Sequence, residues 1–132
     1  MKEFAIRENH LFVKAYSKGK RYLGKTVCVY LLKDLRAGKL KRENPRKEYL
    51  NRLGFSVSPR LGNAVRRNRC KRIMRAAYRH VLEVYELRKG YLIVISALPG
   101  ATEASSADVF SELETAFARL GIISGKIDNN SS

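Results

Sequence analysis

The arginines between residues 58 and 80 give the clearest indication of binding chemistry in this sequence. That segment holds eight Lys and Arg residues and no Asp or Glu. An arginine guanidinium is planar and always charged, and its paired N–H groups fit the oxygens of a phosphate. On a helix, Arg72, Arg75 and Arg79 would lie on one face, about 5 Å apart. This spacing indicates contacts with a row of phosphates rather than with one small anion.

The start of the same helix adds a second feature that favours an anion. Gly62 and Asn63 suit the cap of a helix, and Arg66, Arg67 and Arg69 follow at once. The first N–H groups of a helix have no partner within it, and the helix dipole is positive at that end. Arginines on an ordinary solvated helix are usually paired with an acid four residues away, and this segment has none. We therefore favour a polyanion partner over a merely soluble surface.

Periodicity separates this helix into a dry face and a cationic face. At about 100° per residue, seven side chains share one arc, and a polar set falls on the opposite arc. The dry arc consists of Cys70, Ile73, Met74, Ala77, Tyr78, Val81 and Tyr85. The cationic arc consists of Asn68, Lys71, Arg72, Arg75 and Arg79. We expect the first arc to pack in a core and the second to meet a ligand.

Residues for catalysis by the protein itself are missing from the sequence. A protein nuclease needs clustered carboxylates that hold metal ions, or a pair of histidines for acid and base roles. His10 and His80 have no partner at a useful spacing, and the three acids of residues 33–52 lie among eight basic residues. Cys28 and Cys70 are far apart, as expected for small buried fillers rather than zinc ligands or a disulfide. We predict no catalytic residue and no metal site in the protein.

Length and composition indicate one small, very basic folded domain. The chain has 132 residues, a formal net charge of +15 and 45% hydrophobic residues, enough for a core. No apolar run approaches the roughly 18 residues of a membrane span, and the first residues lack the apolar stretch of a secretory signal. We therefore expect a cytoplasmic protein with no membrane association. Residues 81–132 hold four basic and seven acidic residues, so the positive charge is concentrated in the first 80.

The elements that must position these residues follow an α+β pattern. A helix is predicted over residues 8–17, ended by Gly19, and strands over 26–32, 53–58 and 90–96, with a short strand near residues 22–23. A last helix begins at Ser105 or Ser106 and ends before Gly121. Its apolar stripe is Val109, Phe110, Leu113, Ala116, Phe117 and Leu120. We predict a single domain over 1–127 with a mobile basic loop at 33–52, and a disordered tail at 128–132.

Three aromatic residues raise the question of stacking with unpaired bases. Phe12 and Tyr16 are one helical turn apart, and Tyr30 lies in the first long strand. Exposed rings bind single-stranded nucleic acid by stacking, but aromatic residues are more often buried in a core. Periodicity alone does not separate these two alternatives.

The basic segment resembles one protein family. The sequence GNAVRRNRCKRIMR at residues 62–75 is similar to the Arg-Asn-Arg helix of the protein subunit of bacterial ribonuclease P. Residues 54–58, the aromatic helix with Phe12 and Tyr16, and the apolar strand 91–95 extend the resemblance to about residues 5–120. Two departures stand out. Pro59 and Arg60 replace the two lysines usual in the family, and residues 96–98 replace an arginine often found after the last strand.

The resemblance implies a fold and a set of contacts. The fold would be a small α+β sandwich with a mostly antiparallel four-stranded sheet and a left-handed β-α-β crossover, against the usual right hand. The basic helix would dock on a large catalytic RNA, and a cleft beside the sheet would receive the single-stranded 5′ leader of precursor tRNA. The leader-binding residues would be Phe12, Tyr16 and Tyr30. The RNA-binding residues would be Arg60, Asn63, Arg66, Arg67, Asn68, Arg69, Lys71, Arg72, Arg75 and Arg79.

The resemblance also implies the function. The chain would be the accessory subunit of a ribonucleoprotein endonuclease that removes 5′ leaders from precursor tRNA, with catalysis carried by the RNA. The cofactor would be magnesium held mainly by the RNA subunit, and no obligate protein partner is expected. An alternative from another class is a general RNA-binding or ribosome-associated structural protein on a related fold. A weaker third alternative is a protein nuclease that needs no RNA.

Overall fold

Strands form where the sequence is apolar or alternating, and helices form where apolar residues recur every three to four positions. The computed structural model describes residues 4–6, 9–35 and 51–127, with three α-helices and seven strands in those ranges. The helices are α1 (Asn9–Lys18), α2 (Ala64–Val84) and α3 (Ser106–Leu120). The strands are β1 (Phe4–Ala5), β2 (Lys20–Leu23), β3 (Val27–Lys33), β4 (Arg52–Ser56), β5 (Tyr85–Leu87), β6 (Tyr91–Ala97) and β7 (Ile123–Lys126).

The main sheet has the strand order β1-β4-β6-β3-β2. Its four longer strands are mostly antiparallel, because β2 pairs with β3 and β3 with β6 in that sense, while β4 and β6 run parallel. This confirms the predicted α+β class and four-stranded sheet. The structure adds the two-residue strand β1, parallel to β4, and a separate β5–β7 ribbon. Such short strands contain too few residues for an alternating pattern to reveal them.

Helix α2 lies in the crossover between β4 and β6, which are parallel neighbours in the sheet. A parallel pair needs such a long connection, since a tight turn joins only antiparallel strands. The crossover therefore places the basic helix over the sheet. The left-handedness of this β4-α2-β6 crossover stays a prediction.

Two hydrophobic cores lie on opposite faces of the sheet. The larger core joins β3, β4 and β6 to α2 and α3, with Met74, Phe117 and Ile93 fully buried in it. The smaller core lies under α1 and contains Ala15, Leu92 and Val94. Because side chains alternate along a strand, β6 contributes Ile93 to one core and its neighbours to the other. The sheet therefore separates α1 from α2 and α3.

The helices begin and end where the sequence signals predicted. Asn63 caps α2, its Oδ1 accepting the Arg66 backbone N–H at 3.0 Å. Ser105 caps α3 in a reciprocal arrangement with Asp108, so the first of the two predicted caps is used. The backbone N–H of Ser105 lowers the pKa of Asp108. Gly121 ends α3 with a φ of +80°, a conformation that favours glycine.

The ends of the predicted loop at 33–52 belong to strands or are packed against them, so the predicted bounds of the loop are too wide, and its mobility stays a prediction. Strand β3 continues to Lys33, and β4 begins at Arg52. Asp34 is only 7% exposed, and its Oδ2 lies 2.6 Å from Arg52 Nε. Asn51 is 2% exposed, donates to the Arg88 carbonyl and accepts from the Tyr91 N–H. These partners are remote in sequence, which explains why composition suggested only a loop. Residues 36–50 and the predicted tail 128–132 lie outside the described residues.

Candidate nucleic-acid interface

Burial along α2 follows the two predicted arcs. Cys70, Met74, Ala77, Tyr78 and Val81 are buried, and Ile73 is half-buried against the core. On the opposite arc, Asn68, Arg72, Arg75 and Arg79 are exposed, and Lys71 is half-buried. From 68 to 79 this cationic stripe extends about 17 Å along the helix at 1.5 Å per residue. The stripe presents charge over a length that suits several phosphates rather than one.

Arg75 is held by a ring as well as by the helix. Its guanidinium carbon lies 5.5 Å from the centroid of Phe55 on β4, within the range of a cation–π contact. This contact links the cationic stripe to the strand before the crossover. The guanidinium stays exposed at its edges, where phosphate oxygens would bind.

Arg69 differs from the other arginines of α2, because its guanidinium is tied to the protein. Its two terminal nitrogens donate to the carbonyl oxygens of Thr102 and Ala104, at 2.9 and 3.1 Å. Thr102 and Ala104 lie in the connection between β6 and α3. The side chain therefore joins the first part of α2 to the start of α3. Sequence reasoning missed this role, since the partners lie more than 30 residues away and are backbone atoms.

The remaining residues predicted at the start of α2 lie close together in the chain but in different surroundings. Arg66 is exposed and Arg67 is half-buried, with a buried Nε that has no hydrogen-bond partner within the described ranges. Asn63 is exposed, but its side-chain oxygen is committed to the helix cap. Arg60 is exposed in a 3-10 turn over Pro59–Leu61, just before the helix. This end of α2 therefore carries a cluster of cations around a helix amino terminus.

The structure brings the three predicted aromatic residues together on the other face of the sheet. The ring centroids of Tyr16 and Tyr30 are 4.9 Å apart, in an edge-on arrangement, and those of Phe12 and Tyr16 are 6.5 Å apart. Tyr16 is 40% exposed, whereas Phe12 and Tyr30 are half-buried. Phe12 packs directly over Gly54, where an added Cβ would lie 2.5 Å from the Phe12 ring. We call Phe12, Tyr16 and Tyr30 the aromatic cluster.

A row of four side chains lies beside the aromatic cluster on the same face of the sheet, and we call this row the shallow surface. Strand register places Leu23, Cys28, Ser96 and Ser56 in one row across β2, β3, β6 and β4. Three of these side chains are small, and Leu23 is 64% exposed. The preceding row on this face is Arg21, Tyr30, Val94 and Gly54. Small side chains therefore continue the face beside the aromatic cluster, with Cys28 buried and Ser56 and Ser96 half-buried.

The Tyr30 hydroxyl interacts with Cys28 on its own strand and with Arg21 on β2. Burial raises its pKa above the ordinary value, and a hydrogen bond with Cys28 acts in the same direction. The positive charge of Arg21 partly opposes this rise in pKa. Arg21 therefore lies close to the Tyr30 hydroxyl.

Glu112 on α3 is a residue to which sequence analysis gave no role. Its carboxylate accepts backbone N–H groups from Lys25, Thr26 and Val27, at 2.9 to 3.3 Å. These three residues follow β2 and lead into β3, next to the row that contains Leu23 and Cys28. An α3 side chain thus holds the turn at the end of the shallow surface. No sequence signal could reveal this contact, because the partners are 85 or more residues apart.

The described residues contain neither a metal-binding cluster nor a membrane-spanning helix. No group of three or more His, Cys, Asp and Glu side chains in residues 4–6, 9–35 and 51–127 could hold a metal ion. None of the described helices combines the length and the apolar character needed to cross a membrane.

Comparison with known proteins decides the family. A family model described as Ribonuclease P matches residues 1–121. The chain belongs to the ribonuclease P protein family. It is 34% identical over 122 residues to a ribonuclease P protein component of Clostridium botulinum, covering 92% of this chain and 98% of the relative. The corresponding component of a Nocardioides species is also 34% identical, over 116 residues, covering 88% and 90%.

Solved ribonuclease P proteins share the fold. A Staphylococcus aureus RNase P protein superposes with a TM-score of 0.67 at 26% identity, covering 97% of both chains. The Thermotoga maritima protein superposes with a TM-score of 0.63 at 23% identity, covering 84% of this chain and 92% of that one. As a ribonuclease P protein, the chain is a subunit of the endoribonuclease that matures tRNA 5′ ends. Its partners are the ribonuclease P RNA and precursor tRNA, which favours this function over general RNA binding.

Proposed function

We propose that the protein contacts two RNAs from the two sides of its central sheet. The cationic stripe of α2 binds the catalytic RNA, and the aromatic cluster beside α1 binds the 5′ leader of precursor tRNA. The observation that carries this proposal is the separation of the two surfaces by the sheet, since α2 packs on one face and α1 on the other. Each RNA can then be bound without displacing the other.

The contacts to the catalytic RNA are assigned to the start and the exposed face of α2. Phosphates would meet the guanidinium groups of this face, and the helix amino terminus would add its own N–H groups. The absence of any acid between residues 58 and 80 means that these cations are not neutralised within their own segment. The proposed residues are Arg60, Asn63, Arg66, Arg67, Asn68, Arg69, Lys71, Arg72, Arg75 and Arg79.

The leader is assigned to the aromatic cluster and the shallow surface next to it. Bases of a single strand stack on exposed rings, whereas paired bases of the mature tRNA are not available for stacking. Tyr16 is the most exposed ring of the cluster, and the edge of its ring pair with Tyr30 extends the platform. This arrangement favours precursor over mature tRNA.

The chemical step is assigned to the RNA subunit and not to a protein residue. We propose magnesium as the metal, held mainly by the RNA; the described part of the chain has no acidic cluster that fits such an ion. The protein supplies cations that lower phosphate repulsion between the RNAs, and so reduces the magnesium concentration required. We also propose that residues 1–127 act as one domain in the cytoplasm, with the basic segment 33–52 adding RNA contacts.

Reconstitution with the cognate RNA tests the proposal directly. Cleavage of precursor tRNA is measured over a magnesium titration, with and without the protein, and also with the protein alone. We expect stimulation at low magnesium only when both subunits are present, and tighter binding of precursor than of mature tRNA. No stimulation would refute the accessory role, and cleavage by the protein alone would revive a protein nuclease. Equal binding of the two tRNAs would refute the assignment of the leader site.

A further inference from the structure

Arg21 is a cation that lies beside the aromatic cluster and was not among the residues expected to bind RNA. It is exposed on β2, the outermost strand of the sheet, and pairs in register with Tyr30 on β3. Directly opposed residues of antiparallel strands have Cβ atoms about 5 Å apart on the same face. Arg21 and Tyr30 are therefore direct neighbours on the side of the sheet that α1 covers.

Among residues 4–6, 9–35 and 51–127, no acid forms an ion pair with Arg21. Asp34 is the acidic residue among the described residues on this face of the sheet, and its side chain is buried and paired with Arg52. The acids of α3 lie beyond the opposite face, where Asp108 caps its helix, Glu112 holds the turn after β2 and Glu114 binds Tyr85. Arg21 is exposed and, within the described ranges, has no ion pair, so its charge faces solvent and the Tyr30 hydroxyl.

The aromatic cluster by itself can hold bases but not the phosphates between them. When bases stack on these rings, each phosphate of the single strand lies at the side of the rings, where a cation is needed to neutralise the phosphate charge. A guanidinium can bind such a phosphate with two N–H groups. Arg21 is the arginine of β2 that shares the face of Tyr16 and Tyr30, and the effect of its charge on the Tyr30 pKa supports their proximity.

We propose that Arg21 binds one phosphate of the 5′ leader, next to the nucleotide whose base stacks on Tyr16 and Tyr30. This proposal rests on the proposed leader site. The site thus has an aromatic half and a cationic half, supplied by α1 and β3 and by β2 respectively. The ligand is a phosphodiester of single-stranded RNA, at one position in the leader.

The chain offers a matched control on the other face of the same strand. Arg119 of α3 is exposed, and its guanidinium carbon lies 5.8 Å from the ring centroid of Tyr22, the residue after Arg21. Tyr22 packs against the larger core, on the face remote from the aromatic cluster. Arg119→Ala removes the same charge near the same strand but away from the proposed site.

The test uses the full protein assembled with its cognate RNA, and precursor tRNAs in which single leader phosphates are replaced by neutral methylphosphonates. We expect Arg21→Ala to weaken precursor binding about 3- to 10-fold, as for loss of a charged contact, with binding of mature tRNA unchanged. The salt dependence of precursor binding should fall by about 0.7 in slope, the value for one single-strand phosphate. Arg21→Lys should restore part of the affinity, because it keeps the charge but not the fork.

The decisive result is non-additivity at one linkage. Neutralising that phosphate should weaken the wild-type and Arg119→Ala complexes, and have no further effect on the Arg21→Ala complex. Additive losses at every linkage, or an equal loss with mature tRNA, would overturn the role of Arg21. A wild-type complex with no preference for precursor would instead refute the leader site itself. Urea unfolding of each variant checks that the fold is retained, and an Arg21→Ala protein that is unfolded would overturn the assignment of Arg21 as a surface contact.

Discussion

Replacement of Arg69 separates a structural role from an RNA contact within the Arg-Asn-Arg segment. Arg69→Ala removes two hydrogen bonds, from the guanidinium to the carbonyl oxygens of Thr102 and Ala104. A hydrogen bond from a charged donor contributes about 1.5 to 3 kcal/mol, and less where water can replace it. Because Arg69 is only half-buried, we expect the free energy of unfolding to fall by about 2 to 3 kcal/mol in total. Ala104 is itself buried, so water can only partly satisfy its carbonyl in the variant.

The assay for this prediction pairs urea unfolding with the salt dependence of RNA binding. Arg72→Ala is the matched control, since Arg72 is exposed one helical turn away on α2. We expect Arg72→Ala to leave the unfolding free energy unchanged and to reduce the slope of log K against log salt by about one. Arg69→Ala should show a large loss of stability and a smaller change in slope.

The reasoning about Arg69 would be refuted by the opposite pattern. If Arg69→Ala keeps the urea midpoint of the wild type and loses a full unit of slope, the side chain acts mainly on RNA and the two carbonyl contacts contribute little. Arg69→Lys gives a second measurement. A lysine keeps the charge for RNA but lacks the planar fork that spans two carbonyls, so we expect it to be destabilised as well.

Three further predictions concern the leader site and the helix that supports it. Phe12→Ala should reduce the preference for precursor over mature tRNA by about 1 to 3 kcal/mol, the value of one stacked base, and equal weakening toward both tRNAs would contradict the cluster. Glu112→Ala should speed amide hydrogen exchange at residues 25–27 and lower the unfolding free energy by about 2 kcal/mol, whereas Glu112→Gln should retain part of the protection; unchanged exchange in the alanine variant would exclude the clamp. The Ser105 hydrogen bond holds the pKa of Asp108 below its ordinary value of 3.8, so the stability that this cap contributes is present above pH 3.8 and is lost as the pH falls through the folded pKa. The unfolding free energy of Asp108→Asn should therefore change less with pH in that acid range. The same pH dependence in wild type and variant would contradict the cap.

Much of the candidate site could be predicted from local pattern. The two arcs of α2 follow from a period of 3.6 residues, and burial of Met74 and exposure of Arg72 agree with it. The caps at Asn63 and Ser105 also follow from residues close in the chain. Such features depend on neighbours within one or two helical turns, which the sequence states directly.

Contacts between remote segments account for what was missed. Asp34 was placed in a mobile loop, because its partner Arg52 lies 18 residues away in the sequence. Sequence analysis gave the Glu112 carboxylate no role, because nothing in α3 indicates which backbone N–H groups it reaches. The neighbour of Tyr30 on β2 depends on strand register, which sequence separation does not reveal.

By itself, the sequence determined that this protein carries one acid-free, cationic helix face over a small α+β core, and its motif indicated the ribonuclease P family. Only the tertiary structure showed which arginine side chain is also bound to the protein. Helical periodicity places Arg69 close to the exposed stripe, but two backbone carbonyls more than 30 residues away bind it to the protein. The fold likewise brought Tyr16, Tyr30 and Arg21 together from three different elements. The physical reason is the same in both cases: charge and periodicity are properties of a segment, whereas hydrogen-bond partners and faces of a sheet arise only when segments meet.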